Sequence, residues 1–245
     1  MNINRRIAIM AGVLYIMGTV AGVLSVLVTQ PVLGASDYLT QIAANENQMV
    51  TGTLLVLTMG FSLAMVPALL FSILKKHDEI LALGYLIFRG ALETVVYIVM
   101  AICWLFLILI SREYATAGVA SASYFQSLGA IFMKGSNSIS SVLVIVFSLD
   151  ALMLYYMLYR SKLIPRWISI WGFIAIVMHF STAFMMLYGL VEPGMSATVA
   201  IINLPIFLQE MVMAVWMIVK GFNLVDVVPE TAFLNKTKGE KNEYR

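Results

Sequence analysis

The stretch YLIFRGALETVVY, residues 85–97, sets an arginine and a glutamate in otherwise apolar sequence. Arg89 and Glu93 are four residues apart, so on a helix they share one face. Apolar sequence surrounds them from about Ile80 to Ile110, long enough to cross a bilayer. An unpaired charge at mid-membrane costs about 3 to 10 kcal/mol. The rest of the chain must therefore supply partners for this pair.

The composition agrees with a membrane setting. Hydrophobic residues make up 61% of the chain and charged residues 11%, where soluble domains carry about 25% charged residues. The single cysteine, Cys103, rules out an intramolecular disulfide and a Cys-based zinc cluster. Nucleic-acid binding is not expected, because the basic residues form no patch with interleaved aromatics. The first apolar run exceeds the core of an ordinary signal peptide, so no cleavable signal is expected.

Working outward, the pattern predicts an all-α, six-span membrane protein. The spans fall at about 7–28, 49–74, 80–110, 137–159, 167–190 and 198–219, with a polar tail over 223–245 expected to be disordered. Gly18 and Gly22 form a GxxxG spacing in the first span, suited to close helix approach. Pro31 and Gly34 are expected to end that helix, and Ser36-Asp37 reads as an N-cap for an amphipathic run leading into the second span. Pro67 should kink the second span. The hydrophilic turn 75–79 holds His77 as a solvated residue. Residues 123–133 read as a separate interfacial helix, too short to cross. Pro165 suits the first turn of the fifth span, and Glu192, Pro193 and Gly194 mark the turn before the sixth.

Six spans place both termini on one side. That side holds Arg5, Arg6, Lys75, Lys76, Arg160, Lys162, Arg166, Lys220, Lys236, Lys238, Lys241 and Arg245, whereas the other has only Arg112 and Lys134. The positive-inside rule then predicts that both termini are cytoplasmic.

The polar residues inside the spans agree in depth. At roughly 1.5 Å per residue, Arg89 lies about 14 Å from the cytoplasmic end and Glu93 about 20 Å. Asp150 and Glu210 lie about 15 Å deep, and His179 about 20 Å. Five ionisable groups on four spans thus predict one midplane cluster, with Gln209 beside Glu210, and Tyr85 and Tyr97 on the Arg89/Glu93 face. Glu93, Asp150 and Glu210 outnumber Arg89, which leaves a negative surplus. Protonated carboxyls, a charged His179 or a bound cation would remove it. A divalent metal on His179, Glu93, Asp150 and Glu210 is chemically compatible, but no specific ligand motif supports it, and no other cofactor is evident. Pro205, one turn before Glu210, adds a broken-helix feature of the kind that binds substrate in transporters. Each polar group also has a plainer reading, as an intrahelical pair or a hydrogen-bonded core residue. Serine nucleophiles have no supporting pattern: Ser148, Ser181 and Thr182 lack any GxSxG-like context. No Gly-rich phosphate loop is present.

Three stretches, LALGYLIFRGALE (81–93), YRSKLIPRWISIWGFI (159–174) and EMVMAVWMIVKGF (210–222), together resemble a family of bacterial multi-pass membrane proteins known as a domain of unknown function. The Arg89-x-x-x-Glu93 pair, the Ile164-to-Trp167 turn and the Glu210, Trp216, Lys220 ending carry the likeness, which runs from Arg6 to Phe222. The resemblance implies a six-helix protein of the bacterial cytoplasmic membrane and brings no activity with it. Three functions stay open: a protein binding or transporting a small cationic or polar ligand or protons, an intramembrane metal-dependent hydrolase, and a structural or regulatory membrane partner.

Overall fold

Within a bilayer every backbone N–H and C=O must be satisfied inside its own segment, so the apolar runs have little choice but to be helical. The computed structural model describes residues 2–191 and 197–223. Among them are eight α-helices: α1 (Ile3–Leu33), α2 (Tyr38–Ala44), α3 (Glu46–Leu74), α4 (Glu79–Tyr85), α5 (Glu93–Thr116), α6 (Val119–Ser161), α7 (Arg166–Leu187) and α8 (Ala197–Val219). A π-helical segment, Leu86–Leu92, joins α4 to α5 without a break. Six helical stretches are long and apolar enough to cross a membrane, with α4, the π segment and α5 counting as one.

Small residues set the closest approaches. A side chain at Gly18 would strike Leu63 of α3, and one at Gly22 would strike Met59, so the GxxxG spacing does serve as a contact face. Farther along the same interface Ser25 donates to the Gly52 carbonyl at 2.8 Å. On its other flank α1 meets α8, where a Cβ on Gly12 would stand 2.6 Å from the Ala214 carbonyl. The remaining large contacts run α5 to α6, α6 to α7 and α7 to α8, while α3 and α4 pack against the π-bearing helix and α6 respectively. The largest apolar core gathers Tyr15, Val66, Leu70, Leu154, Ile168 and Met213 from five helices.

The start of α1 meets the end of α8. Arg5 donates to the carbonyls of Met217 (3.0 Å), Ile218 (2.6 Å) and Val219 (3.0 Å). These are the last carbonyls of α8, which have no partner within the helix and sit at the negative end of its dipole. Asn223 N–H in turn donates to the Leu163 carbonyl at 2.8 Å. Residues 5, 163 and 217–223 therefore share one end of the bundle, as an even number of crossings requires.

Several local expectations need correction. Residues 123–133 form no separate interfacial helix; they are part of α6, which is continuous for 43 residues. Nothing in that stretch breaks a helix, since it contains no proline and its one glycine, Gly129, packs beside Leu39 and Tyr38. Pro31 does not end α1 but lies inside it, and Gly34 supplies the C-cap. The 37–48 run does not feed directly into the second span: Asn45 separates α2 from α3, its side chain amide bonding back to the Gln41 carbonyl at 2.9 Å. Asp37 occupies the N-cap position of α2 without a side-chain cap bond. Pro165 stands just before the first residue of α7. The turn at 192–194 and the tail from 224 onward lie outside the described residues.

Candidate functional site

The site begins with a departure from regular helix. In the π segment the amide of Glu93 bonds to the carbonyl of Phe88, five residues back. Such segments are rare and occur mostly as single wide turns, often at functional sites. Gly90 faces Pro67 and the Ala64 carbonyl of α3, and Thr94 donates to the Gly90 carbonyl at 2.9 Å. The wide turn carries Arg89 into the centre of the bundle, where it is 2% exposed and among the largest fully buried side chains.

Three carboxyls surround its guanidinium. Nη1 lies 3.1 Å from Glu93 Oε2 and 3.7 Å from Asp150 Oδ1, and Nη2 lies 3.5 Å from Glu210 Oε1. Two rings flank it, Phe147 at 4.9 Å and Tyr15 at 5.6 Å from the guanidinium carbon to the ring centres. Away from water such cation–π contacts are worth about 2 kcal/mol. Tyr97 donates to Glu93 Oε1 at 3.0 Å, and the hydroxyls of Tyr15 and Tyr85 pair at 3.0 Å. Glu93 and Asp150 both lie against the same guanidinium nitrogen, Nη1. Glu93 Oε2, Asp150 Oδ2 and Arg89 Nε are all buried without a hydrogen-bond partner. The cluster is closed except at one edge: the side chains of Arg89, Glu93 and Asp150 are each 1% exposed, and Glu210 is 14% exposed.

The other expected residues take different positions. Gln209 is buried, accepts from Tyr155 Oη at 2.7 Å and donates to the Ile168 carbonyl at 3.1 Å. It fastens α8 to α6 and α7 and turns away from Arg89, as neighbours on a helix must. His179 pairs through Nδ1 with Asn203 Oδ1 at 2.8 Å. With an amide oxygen facing it, Nδ1 carries the proton and Nε2 is left as an acceptor. The expected metal set of His179, Glu93, Asp150 and Glu210 does not come together: among the described residues no three His, Cys, Asp or Glu side chains are disposed to hold an ion. The space between the carboxyls is filled by Arg89, and the imidazole is drawn off to Asn203. His77 is exposed in the turn after α3, where partial burial and the neighbouring Lys76 hold it below the usual histidine value.

With this geometry in hand, the family model described as "Domain of unknown function (DUF4386)" matches residues 10–221. The chain belongs to that family. The DUF4386 region runs from α1 to just past α8, so it contains every residue of the Arg89 cluster. No curated protein and no solved structure matches the chain.

Four participants in the candidate site of this chain escape a reading based on ionisable residues alone: Tyr15, Phe147, Tyr155 and Asn203. Each still has a signal in the sequence. Tyr15 shares a helix face with Gly18 and Gly22 and lies about 14 Å beyond Arg6, the depth of the carboxyls. Phe147 precedes Asp150 by one turn, and Asn203 precedes Glu210 by two. The π segment has no comparable signal, since LIFRGAL is compatible with ordinary α-helix.

Proposed function

We propose that this is a proton-binding membrane protein, with both termini cytoplasmic in a bacterial cell membrane, whose midplane cluster loads and releases protons in transport or coupling. What supports the reading is one guanidinium among three carboxyls, two of them fully buried, with Glu93 Oε2 and Asp150 Oδ2 making no hydrogen bond. Full ionisation would leave two uncompensated negative charges in a dry layer, which the interior does not tolerate. A proton removes the surplus without needing space. A larger cation would have to displace Arg89, which already packs between the carboxyls and two aromatic rings. The 14% exposure of Glu210 makes it the carboxyl through which protons exchange. The placement of the termini rests on the excess of Lys and Arg in the segments assigned to the side that holds Arg5, Lys75, Arg160 and Lys220.

The test is thermal unfolding of the purified chain in lipid nanodiscs across pH and against a panel of monovalent and divalent cations. Wild type is compared with Glu210→Gln and with Glu93→Gln/Asp150→Asn. Anything bound only by the folded state raises its melting temperature by mass action. The expected result is a pH-dependent melting temperature that flattens in the neutralised variants, with no stoichiometric metal effect. If the variants melt lower but keep the wild-type pH profile, the cluster is packing and the proton reading fails.

A further inference from the structure

The Phe147 ring is in contact with two polar side chains. The Arg89 guanidinium carbon lies 4.9 Å from its centre, and the His179 ring lies 5.0 Å from it, edge to face at 79°. Beyond His179 stands Asn203, bonded at 2.8 Å. Phe147 lies three residues from Asp150 and Asn203 seven from Glu210, both displaced away from the end of the bundle that holds Arg5. By residue counting Phe147 and His179 stand at about the depth of Glu93, and Asn203 lies about one turn farther from that end. His179 and Asn203 are half-buried, whereas Glu93 and Asp150 are shut in.

We propose that His179 with Asn203 forms a second proton-binding station, and that the Phe147 side chain is a movable partition between it and the carboxyl cluster. This deepens the proton reading above and rests on it. A phenyl ring has neither donor nor acceptor, so no proton crosses while it stays in place. When it swings aside, one water fits between the carboxyl layer and His179 Nε2. The O–H bond of a protonated carboxyl, that of Asp150 or Glu210, then breaks as an N–H bond forms on Nε2, the water passing the proton on. The products are a carboxylate, held by Arg89, and an imidazolium, which releases its proton on the Asn203 side. The polar and charged groups acting on this imidazole are Asn203 on α8, bonded to it, and Arg89, whose charge reaches it past the ring. Repulsion from the fixed positive charge of Arg89 favours return of the imidazolium to its neutral form.

The experiment uses the full chain in liposomes that enclose a pH-sensitive dye, with a pH step applied outside. Wild type should hold the gradient, Phe147→Ala should collapse it, and Phe147→Ala/His179→Gln should hold it again. A Phe147→Ala leak unchanged by His179→Gln, or a folded Phe147→Ala that holds the gradient, overturns the proposal. Where Phe147→Ala does not fold, Phe147→Leu is judged by the same criteria. Adding Glu210→Gln to Phe147→Ala separates the two readings. A leak removed by His179→Gln but untouched by Glu210→Gln and by Glu93→Gln/Asp150→Asn supports the second station and sinks the proton role of the carboxyl cluster. A second readout is the imidazole NMR titration of His179 on a His77→Gln background, which leaves a single histidine. Its midpoint should move when Glu210→Gln is added, whereas an independent core histidine would not respond.

Discussion

Two arginines on the helix that runs from α4 through α5 pair with glutamates, and the two pairs differ in almost every respect except chemistry. Arg112, near the end of α5, grips Glu46 of α3 with two parallel hydrogen bonds, Nε to Oε2 at 2.8 Å and Nη2 to Oε1. Its geometry is the better of the two. Yet its side chains are 56% and 31% exposed, so water and salt compete for both charges. Arg89 meets Glu93 at 3.1 Å with poorer alignment, but in a layer from which water is excluded. There the cost of separating the charges, and not the quality of their bond, decides the energetics. The comparison teaches that the medium sets the importance of an ion pair more than its geometry does.

The hardest blow to this contrast is Arg89→Leu. It leaves three buried carboxyls without their cation and should lower stability by about 3–5 kcal/mol, read as unfolding in nanodiscs at neutral pH. Adding Glu93→Gln and Asp150→Asn to it should restore part of the loss, because neutral partners no longer need the cation. If the single change costs nothing, the cluster is wetter than its burial indicates.

Gly172→Ala sharpens the contrast by disturbing the same layer without touching a charge. A Cβ there would stand 2.8 Å from the Tyr155 ring, which holds Gln209 and through it α8. Overpacking of this kind should cost about 1–3 kcal/mol. The smallest effect should come from Arg112→Ala, which is expected to leave the melting temperature unchanged within error, and equally so in high salt. A large drop would mean that the exposed pair fastens α3 to α5, and the lesson drawn from the two pairs would fail.

The sequence made the layer legible because depth is a property of residue counting. Arg89, Glu93, Asp150 and Glu210 each lie 10 to 17 residues from a basic boundary, and six apolar runs leave few ways to arrange them. Side-chain direction was harder to read. His179 shares the depth of the cluster but points to Asn203, a choice made by the packing of α7 on α8 and invisible in either helix alone. Gln209 sits beside Glu210 in sequence yet bonds to Tyr155 and Ile168, because adjacent residues on a helix face different neighbours. The continuous α6 was missed for a related reason. Serines and small residues over 119–141 lower the local hydropathy, but they form i→i−4 side-chain bonds, such as Ser138 to the Lys134 carbonyl at 3.0 Å, and leave the helix intact. The π turn depends on how α3 and α5 pack, and no local propensity announces it.

The clamp of Arg5 on the last carbonyls of α8 bears on how the protein is made. Arg5 is synthesised 212 residues before Met217. Domains assemble as the chain is synthesised, N-terminal parts first, but here α1 must wait for α8. Until α8 arrives, Gly12 faces no Ala214, and Arg89 has two of its three carboxyls. The nascent protein therefore carries its most costly charge incompletely paired until α8 is inserted, a step that both closes the contact with α1 and completes the site.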